Sequence, residues 1–363
     1  MTYNLMGMKP NTDWQTRLHH TIQHLKTINP DIIGLQEINE PQGGGGGINM
    51  AEEIADSLGV HFNQYYFVYQ QVTHTSWSQF DESIGIISKH PIISNGYDNL
   101  TPGVFPRKVV WTYLQTPIGY LHFFNTHLSY LTEHNAIRLQ QVNEIKEFVT
   151  SKESSWNGIG SILVGDLNCT PSSDPVSALT NPESGVGFTG AYAYSHSNSS
   201  GYTYPAGDPY KKIDYNFIKN SSYIIIDTSY IVINTPYNGQ HYPSDHYGLL
   251  TILSTSDTPL TTNLQSPSLP ETYVLQPAYP NPFNATISIP IMIHKDQLLL
   301  VITINDITGK NIRTLCNRKL APGKHIINWD GLDDDKQQVA SGVYFITLRS
   351  LGRQGVQKII LLK

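Results

Sequence analysis

Residues 254–272, STSDTPLTTNLQSPSLPET, carry Ser, Thr and Pro with no apolar period. Such a stretch cannot bury a core and reads as an inter-domain linker. Ahead of it, strand-like and helix-like segments alternate; behind it, no helical period recurs. A chain of 363 residues also suits two domains better than one. The expected boundaries are an α/β domain over 1–254, the linker over 255–272 and a small β-sandwich over 273–363.

In the first part, Trp14, Leu18, Ile22, Leu25 and Ile28 recur at helical spacing between Asn11 or Thr12 and Pro30, which predicts a helix over 12–28. A second helix is expected over 133–149, through Leu139, Val142, Ile145 and Val149. Strand-like runs occupy Ile32–Leu35, Ile84–Ser88, Lys108–Leu114, Tyr120–Asn125, Ser161–Val164 and Gly248–Leu253, with a hairpin turn at Thr116–Gly119. Mixed strands and helices in this order indicate an α/β sandwich. In the second part, strand-like runs at 286–293, 299–305, 325–329, 343–349 and 356–362 alternate with turn signals at Thr308-Gly309, Pro322-Gly323 and Asp330-Gly331. The run Gly43–Gly47 lacks the Gly-Lys-Ser/Thr that completes a phosphate loop and reads as a flexible loop.

Several of these runs end in polar residues that packing does not require. Ile32–Leu35 leads into Gln36-Glu37, and Leu121–Asn125 into Thr126-His127. Ser161–Gly165 leads into Asp166-Leu167-Asn168, where strand alternation would put Asp166 and Asn168 on one side. Lys211-Lys212-Ile213 precedes Asp214, Ser244-Asp245-His246 precedes the run at Gly248, and Asn4 ends a short opening run. Each alone could be a turn or surface residue. Together they would converge on one edge of the sheets, the usual place for a site in α/β folds. Oxygen donors without a Cys-His cluster suit Mg²⁺ or Mn²⁺, with Ca²⁺ admissible, better than structural zinc.

Charge limits the partners. Residues 1–256 hold 12 Lys+Arg against 21 Asp+Glu, a balance of −9, and the remainder holds 11 against 8, or +3. A strongly basic, polyanion-gripping protein is excluded, and an acidic domain acting on a phosphate ester needs a cation. Cys169 and Cys316 lie far apart and imply no disulfide framework. No run of 18 apolar residues marks a membrane span.

In order, LQEI at 35–38, GIIS at 85–88, NTHL at 125–128, GDLN at 165–168, KIDY at 212–215 and SDH at 244–246 resemble the endonuclease/exonuclease/phosphatase superfamily, the fold of DNase I. The resemblance implies a four-layer α/β sandwich and metal-dependent hydrolysis of a phosphoester. By position, Glu37 resembles the main metal ligand, completed or supported by Asp245 and Asn4. His246 resembles the general base, oriented by Asp214. His127 would stabilise or protonate phosphoryl oxygens, with Glu82 as its carboxylate partner. Asp166 would orient the attacking water or a second cation, Asn168 would hold a phosphate oxygen, and Arg107 would contact the phosphate. The expected substrate is a phosphodiester, foremost a nucleic acid; a lipid phosphodiester of the sphingomyelinase kind, a small phosphoester and a catalytically dead binding module stand as alternatives. Tyr65–Trp77 resembles a poor version of the aromatic hairpin of secreted lipid-cleaving members.

Beyond the linker, YPNPFN at 279–284 and SGVYF at 341–345 resemble the type A C-terminal sorting domain of type IX secretion substrates, itself similar to the immunoglobulin-like domain of flagellar hook-capping proteins. That resemblance implies engagement of the type IX machinery and export to the cell surface or medium. Such substrates normally begin with a signal peptide, and the opening run is short for a strand, so a clipped or mis-started N-terminus is expected. The oligomeric state is left open, with a monomer expected.

Overall fold

The structure is a computed structural model describing residues 1–41, 48–76, 80–181, 183, 186–219, 223–255, 273–275, 278–293, 298–306, 310–350 and 353–362. The glycine run, Trp77, residues 256–272 and the Thr308-Gly309 turn lie outside the described residues. The chain divides into two compact units, Met1–Thr261 and Thr262–Lys363.

The first unit begins with β1 (Thr2–Asn4), α1 (Trp14–Ile28), β2 (Ile32–Pro41), α2 (Met50–Phe62), β3 (Phe67–Ser76) and β4 (Phe80–Ser88). It continues with β5 (Ile92–Leu100), β6 (Arg107–Thr116), β7 (Gly119–His127), α3 (Asn135–Ser155), β8 (Ser161–Asp166) and α4 (Asp174–Thr180). It closes with β9 (Phe188–Gly190), α5 (Ala191–Ser195), β10 (Asp214–Lys219), β11 (Ile224–Val232) and β12 (Gly248–Thr255). Two mixed sheets result, ordered β11-β12-β1-β2-β4-β3 and β5-β6-β7-β8-β10-β9.

Both expected helices form. The α1 cap is Asp13, whose carboxylate accepts from Thr16 N, rather than Asn11 or Thr12. The α2 helix carries its own signal, with Asn49 capping Ala51 and Glu52 and with Met50, Ile54 and Leu58 spaced by four. Apolar faces of α1 and α2 cover one sheet, burying Leu18, Leu25, Ile54 and Leu58 against Ile33 and Leu35. On the other side, Val142, Ile145 and Val149 of α3 and Leu179 of α4 cover Trp111, Phe124 and Leu163. Between the sheets, Ile84, Ile86, Val110, Phe123, Ile162 and Val164 form a further core. The unit is the expected α/β sandwich, helices outside and two sheets inside. At Gly34 the two sheets approach closely, since a Cβ there would lie 2.4 Å from Val164 Cγ2.

His122, near the start of β7, shows what this packing does to a titratable group. Its Nδ1 accepts from Trp111 Nε1 at 3.2 Å, so Nε2 carries the hydrogen and donates to the Trp156 carbonyl at 2.9 Å. Burial depresses the pKa of this ring, which is 1 % exposed. The unfolded chain takes a proton that the native chain refuses, so this contribution is fully present above the unfolded value near 6.5 and is lost as pH falls. The stability advantage of the wild type over His122→Phe is expected to shrink below pH 6.5, by up to about 1.4 kcal/mol per pH unit. Urea unfolding of both proteins between pH 5 and 8 checks it; a constant difference would contradict the neutral assignment.

The second unit contains β13 (Tyr273–Leu275), β14 (Ile287–Ile293), β15 (Leu298–Asn305), β16 (Asn311–Leu320), β17 (Gly323–Trp329), β18 (Gly342–Ser350) and β19 (Arg353–Leu361). They form sheets ordered β13-β14-β17 and β16-β15-β18-β19, every paired strand antiparallel. Trp329, Phe283, Ile289, Ile302 and Ile346 fill their shared core. Pro322-Gly323 carries the chain from one sheet to the other instead of closing a hairpin, because β16 and β17 belong to different sheets. Gly323 takes φ +125°, which suits glycine there.

Candidate active site

Register brings three of the candidate residues side by side. In the parallel pair β7/β8, His127 lies opposite Asp166, and in the antiparallel pair β8/β10, Asp166 lies opposite Asp214. All three therefore emerge at one end of one sheet. The facing sheet supplies Asn4 at the end of β1, beside Gln36 of β2. The loop before β12 supplies Asp245 and His246, pinned by Ser244, whose Oγ donates to the Asn4 carbonyl at 2.7 Å and accepts from His246 N at 3.1 Å.

Glu37 is placed by a defect in its strand. The β2/β4 ladder slips between Leu35 and Ile38, and Glu37 adopts φ 52°, the left-handed region. A bulge of this kind re-aims a side chain, and strain held there marks a functional constraint. Asn4 steers the result: its Oδ1 accepts from Met6 N at 2.9 Å, which leaves Nδ2 to donate to Glu37 Oε1 at 2.9 Å and to Asp166 Oδ2 at 3.2 Å. In this arrangement Asn4 orients two carboxylates, the supporting role expected of it. Asn168 also departs from the alternation expected of it. The strand ends at Asp166, and Asn168 reaches the same cleft through a turn at φ 50°, its N donating to Asp166 Oδ1 at 2.9 Å.

The two histidines differ in partner and in charge. His246 Nδ1 lies 2.9 Å from Asp214 Oδ2, and its Nε2 lies 3.7 Å from Asp166 Oδ2. Burial opposes a charge on this ring, but Asp214 and Asp166 outweigh it and lift its pKa to about 10. His127 Nδ1 accepts from Arg107 Nη1 at 3.0 Å. Burial first and the Arg107 charge second hold His127 well below the usual imidazole range, so it is neutral, with its hydrogen on Nε2, 3.5 Å from Asp166 Oδ2. The expected direct pairing of Glu82 with His127 is corrected here. Arg107 stands between them, with its Nη1 3.8 Å from Glu82 Oε1, because it enters at the start of β6, next to β7, and reaches Glu82 of β4 in the other sheet.

Five carboxylates, Glu37, Glu82, Asp166, Asp214 and Asp245, meet within this site. Burial and then Asp245 push Glu37 upward, burial and then Glu37 push Glu82 to about 8, and burial and then Asp214 push Asp166 to about 7. Hard oxygen donors that repel one another in this way fit a divalent cation, and Glu37 with Asp245 are the residues that would hold it. Asp166, Asp214 and His246 also present ligand atoms within 4.8 Å of one another. The short His246–Asp214 hydrogen bond commits two of those groups to each other, which suits proton transfer better than ligation.

Glu37, Glu82, Arg107, His127, Asp166, Asn168, Asp245 and His246 line a cleft of about 600 Å³, together with Phe105, Tyr130, Tyr204 and Lys211, for which the sequence suggested no role. His74, Phe105 and Tyr130 form a stack, with ring centroids 4.3 Å and 6.1 Å apart. Arg17 of α1 is a further residue that sequence reasoning passed over. Its guanidinium donates to the carbonyls of Leu5, Gly7 and Pro243, tying the loop after Asn4 to the one before Asp245. Only a fully buried arginine on an otherwise apolar face could have signalled it, and burial is not visible in a sequence.

The Endonuclease/Exonuclease/phosphatase family model matches residues 1–246, and a FlgD Ig-like domain matches 284–353. No curated protein matches the chain. Among solved structures, a family protein from Leptotrichia buccalis is 17% identical, with TM-score 0.56, over 70% of this chain and 98% of its own. A mannosyl-6-phosphatase from Bacteroides thetaiotaomicron is 17% identical, with TM-score 0.55, over 69% and 97%. The human Nocturnin catalytic domain with bound sulfate is 16% identical, with TM-score 0.56, over 70% and 92%. With the family model spanning two thirds of its length, the chain belongs to the Endonuclease/Exonuclease/phosphatase family and is a divalent-metal-dependent phosphoric ester hydrolase.

Proposed function

We propose that this enzyme is a phosphodiesterase acting on nucleic acid by attack of a water that His246 deprotonates. His246 donates its Nδ1–H to Asp214 Oδ2, which leaves Nε2 to face the cleft and receive the proton. Neutral His127 offers its Nε2–H to a phosphoryl oxygen and does so without leaving a second imidazolium beside His246. Arg107 holds that ring, Asp166 orients the water, and Asn168 contacts a phosphate oxygen. A divalent cation, Mg²⁺ in our assignment, would neutralise charge developing on phosphorus oxygens and weaken the carboxylates' hold on the His246 proton.

The stack of His74, Phe105 and Tyr130 at the cleft carries the substrate assignment. Phe105 and Tyr130 are 38% and 46% exposed, and a nucleobase can stack on such a platform. Stacking contributes about 1–3 kcal/mol per base, so Phe105→Ala with Tyr130→Ala is expected to raise KM for a single-stranded oligonucleotide tenfold or more. Hydrolysis of a sugar phosphate should change little. Faster turnover of sugar phosphates or sphingomyelin than of DNA and RNA by the wild type would refute the nuclease assignment.

The second unit serves export through the type IX system in this reading, supported by YPNPFN, SGVYF and the match to an immunoglobulin-like fold. Deleting residues 257–363 is expected to leave hydrolysis intact, since the two units have separate cores, and to abolish secretion from a host with that system. Normal export of the shortened chain would rule the assignment out.

A further inference from the structure

Two adjacent lysines face opposite ways at the entrance to β10. Lys211 lines the catalytic cleft, while Lys212 turns into a second cavity of about 580 Å³ between α4, α5 and β10. Lys212 is 6% exposed. Its Nζ lies 4.5 Å from the Tyr192 ring centroid and 5.5 Å from that of Tyr215, and it has no hydrogen bond or ion pair among the described residues. Among the described residues no carboxylate lines the cavity. Burial lowers the pKa of this ammonium to about 8.

A buried cation without a counter-ion is costly, and a cation–π contact offsets only about 2 kcal/mol of that. Charged groups inside proteins are otherwise paired, and even the half-buried Lys219 at the end of β10 is paired with Glu153 of α3 at 2.5 Å. The rest of the cavity says what would complete the charge. Phe188, Phe217 and Val176 present apolar surface, and the hydroxyls of Thr180, Thr189 and Ser199 lie around it. Ser199 Oγ is 3.0 Å from Tyr192 OH, so it belongs to the framework that carries the ammonium. Apolar side chains, hydroxyls and one ammonium lining a common cavity have the make-up of a small-molecule site.

We propose that this cavity binds a small organic anion, a carboxylate or phosphate group on a flat apolar body, with Lys212 as its counter-ion and a site separate from the catalytic cleft. The anion's oxygens accept from the Lys212 ammonium, as a charge-assisted hydrogen bond, and its body lies against Phe188 and Phe217.

The test uses the full chain, treated with EDTA, and titrates benzoate, phenyl phosphate and inorganic phosphate by calorimetry. Benzoate or phenyl phosphate is expected to bind at about 1 mM or tighter, inorganic phosphate more weakly for want of an apolar body. Lys212→Met should weaken binding at least tenfold, and Lys212→Arg should retain part of it. Preference between benzoate and phenyl phosphate identifies the anionic group. A measurement that needs no variant accompanies these: trace acetylation of Lys212 by acetic anhydride, followed by peptide mass spectrometry, should slow when the ligand is present. Equal affinity in Lys212→Met, or binding that leaves Lys212 acetylation unchanged, would place the ligand elsewhere and reduce Lys212 to a packed cation between two tyrosines. Absence of binding by all three probes would likewise overturn the proposal.

Discussion

Glu37→Gln is expected to lower phosphoesterase activity by about 10³-fold or more, the scale of several kcal/mol that a cation contributes to charge stabilisation. The replacement keeps the shape and the oxygen that accepts from Asn4 Nδ2, so the bulge between Leu35 and Ile38 should persist. What disappears is one negative charge in a site where burial and neighbouring carboxylates already raise the proton affinity of Glu37, Glu82 and Asp166. Calorimetric titration of Mg²⁺ or Mn²⁺ gives a readout independent of turnover and should show the affinity largely lost. The stability change has the opposite sign. A carboxyl whose native pKa is raised destabilises the fold as pH rises through and above its ordinary value near 4.5. In EDTA at pH 8, Glu37→Gln should therefore melt at a higher temperature than the wild type, the usual exchange between stability and function. Unchanged metal affinity together with activity within tenfold of wild type would remove Glu37 from the metal site.

Placement of Glu37 also shows how far the sequence could be read. IIGLQEINEP runs on as one strand, and that Glu37 stands near the catalytic edge was legible from the run that ends in it. Its aim was not, because the ladder slip and the left-handed backbone arise from how β2 meets β4, a contact 40 or more residues away. Asn168 repeats the lesson. The motif GDLN marked it, and alternation predicted its direction by the wrong route, since a strand stops where its neighbours stop, here at Asp166. The runs that escaped notice are those with one wet face. In β3, β5 and β11 most residues are half-buried or exposed, so polar side chains break the apolar run. Long-range electrostatics were the least legible: nothing local in DESIGIIS tells whether Glu82 meets His127 or, as found, Arg107.

That correction sharpens the last expectation, which concerns the two histidines. Ala at His246 should lower kcat/KM by roughly 10²-fold or more, the scale of a positioned acid–base group. Asp214→Ala alone should cost less, because it removes the partner and leaves the ring. Combined, the pair should be little worse than His246→Ala, since Asp214 acts through the 2.9 Å contact to Nδ1 and has nothing left to act on. On the other side the unit has three members, so Glu82→Ala should be nearly silent in an Arg107→Ala background and strongly coupled to it otherwise. The crossed pair, Asp214→Ala with His127→Ala, should lie closer to additivity, though not on it, because Asp166 Oδ2 stands 3.5 Å from one imidazole and 3.7 Å from the other. Asp166→Asn should accordingly couple to both histidines at once. Equal coupling in every pair would mean a single network in place of two units, and additivity between Asp214 and His246 would show that their hydrogen bond does not act in the reaction.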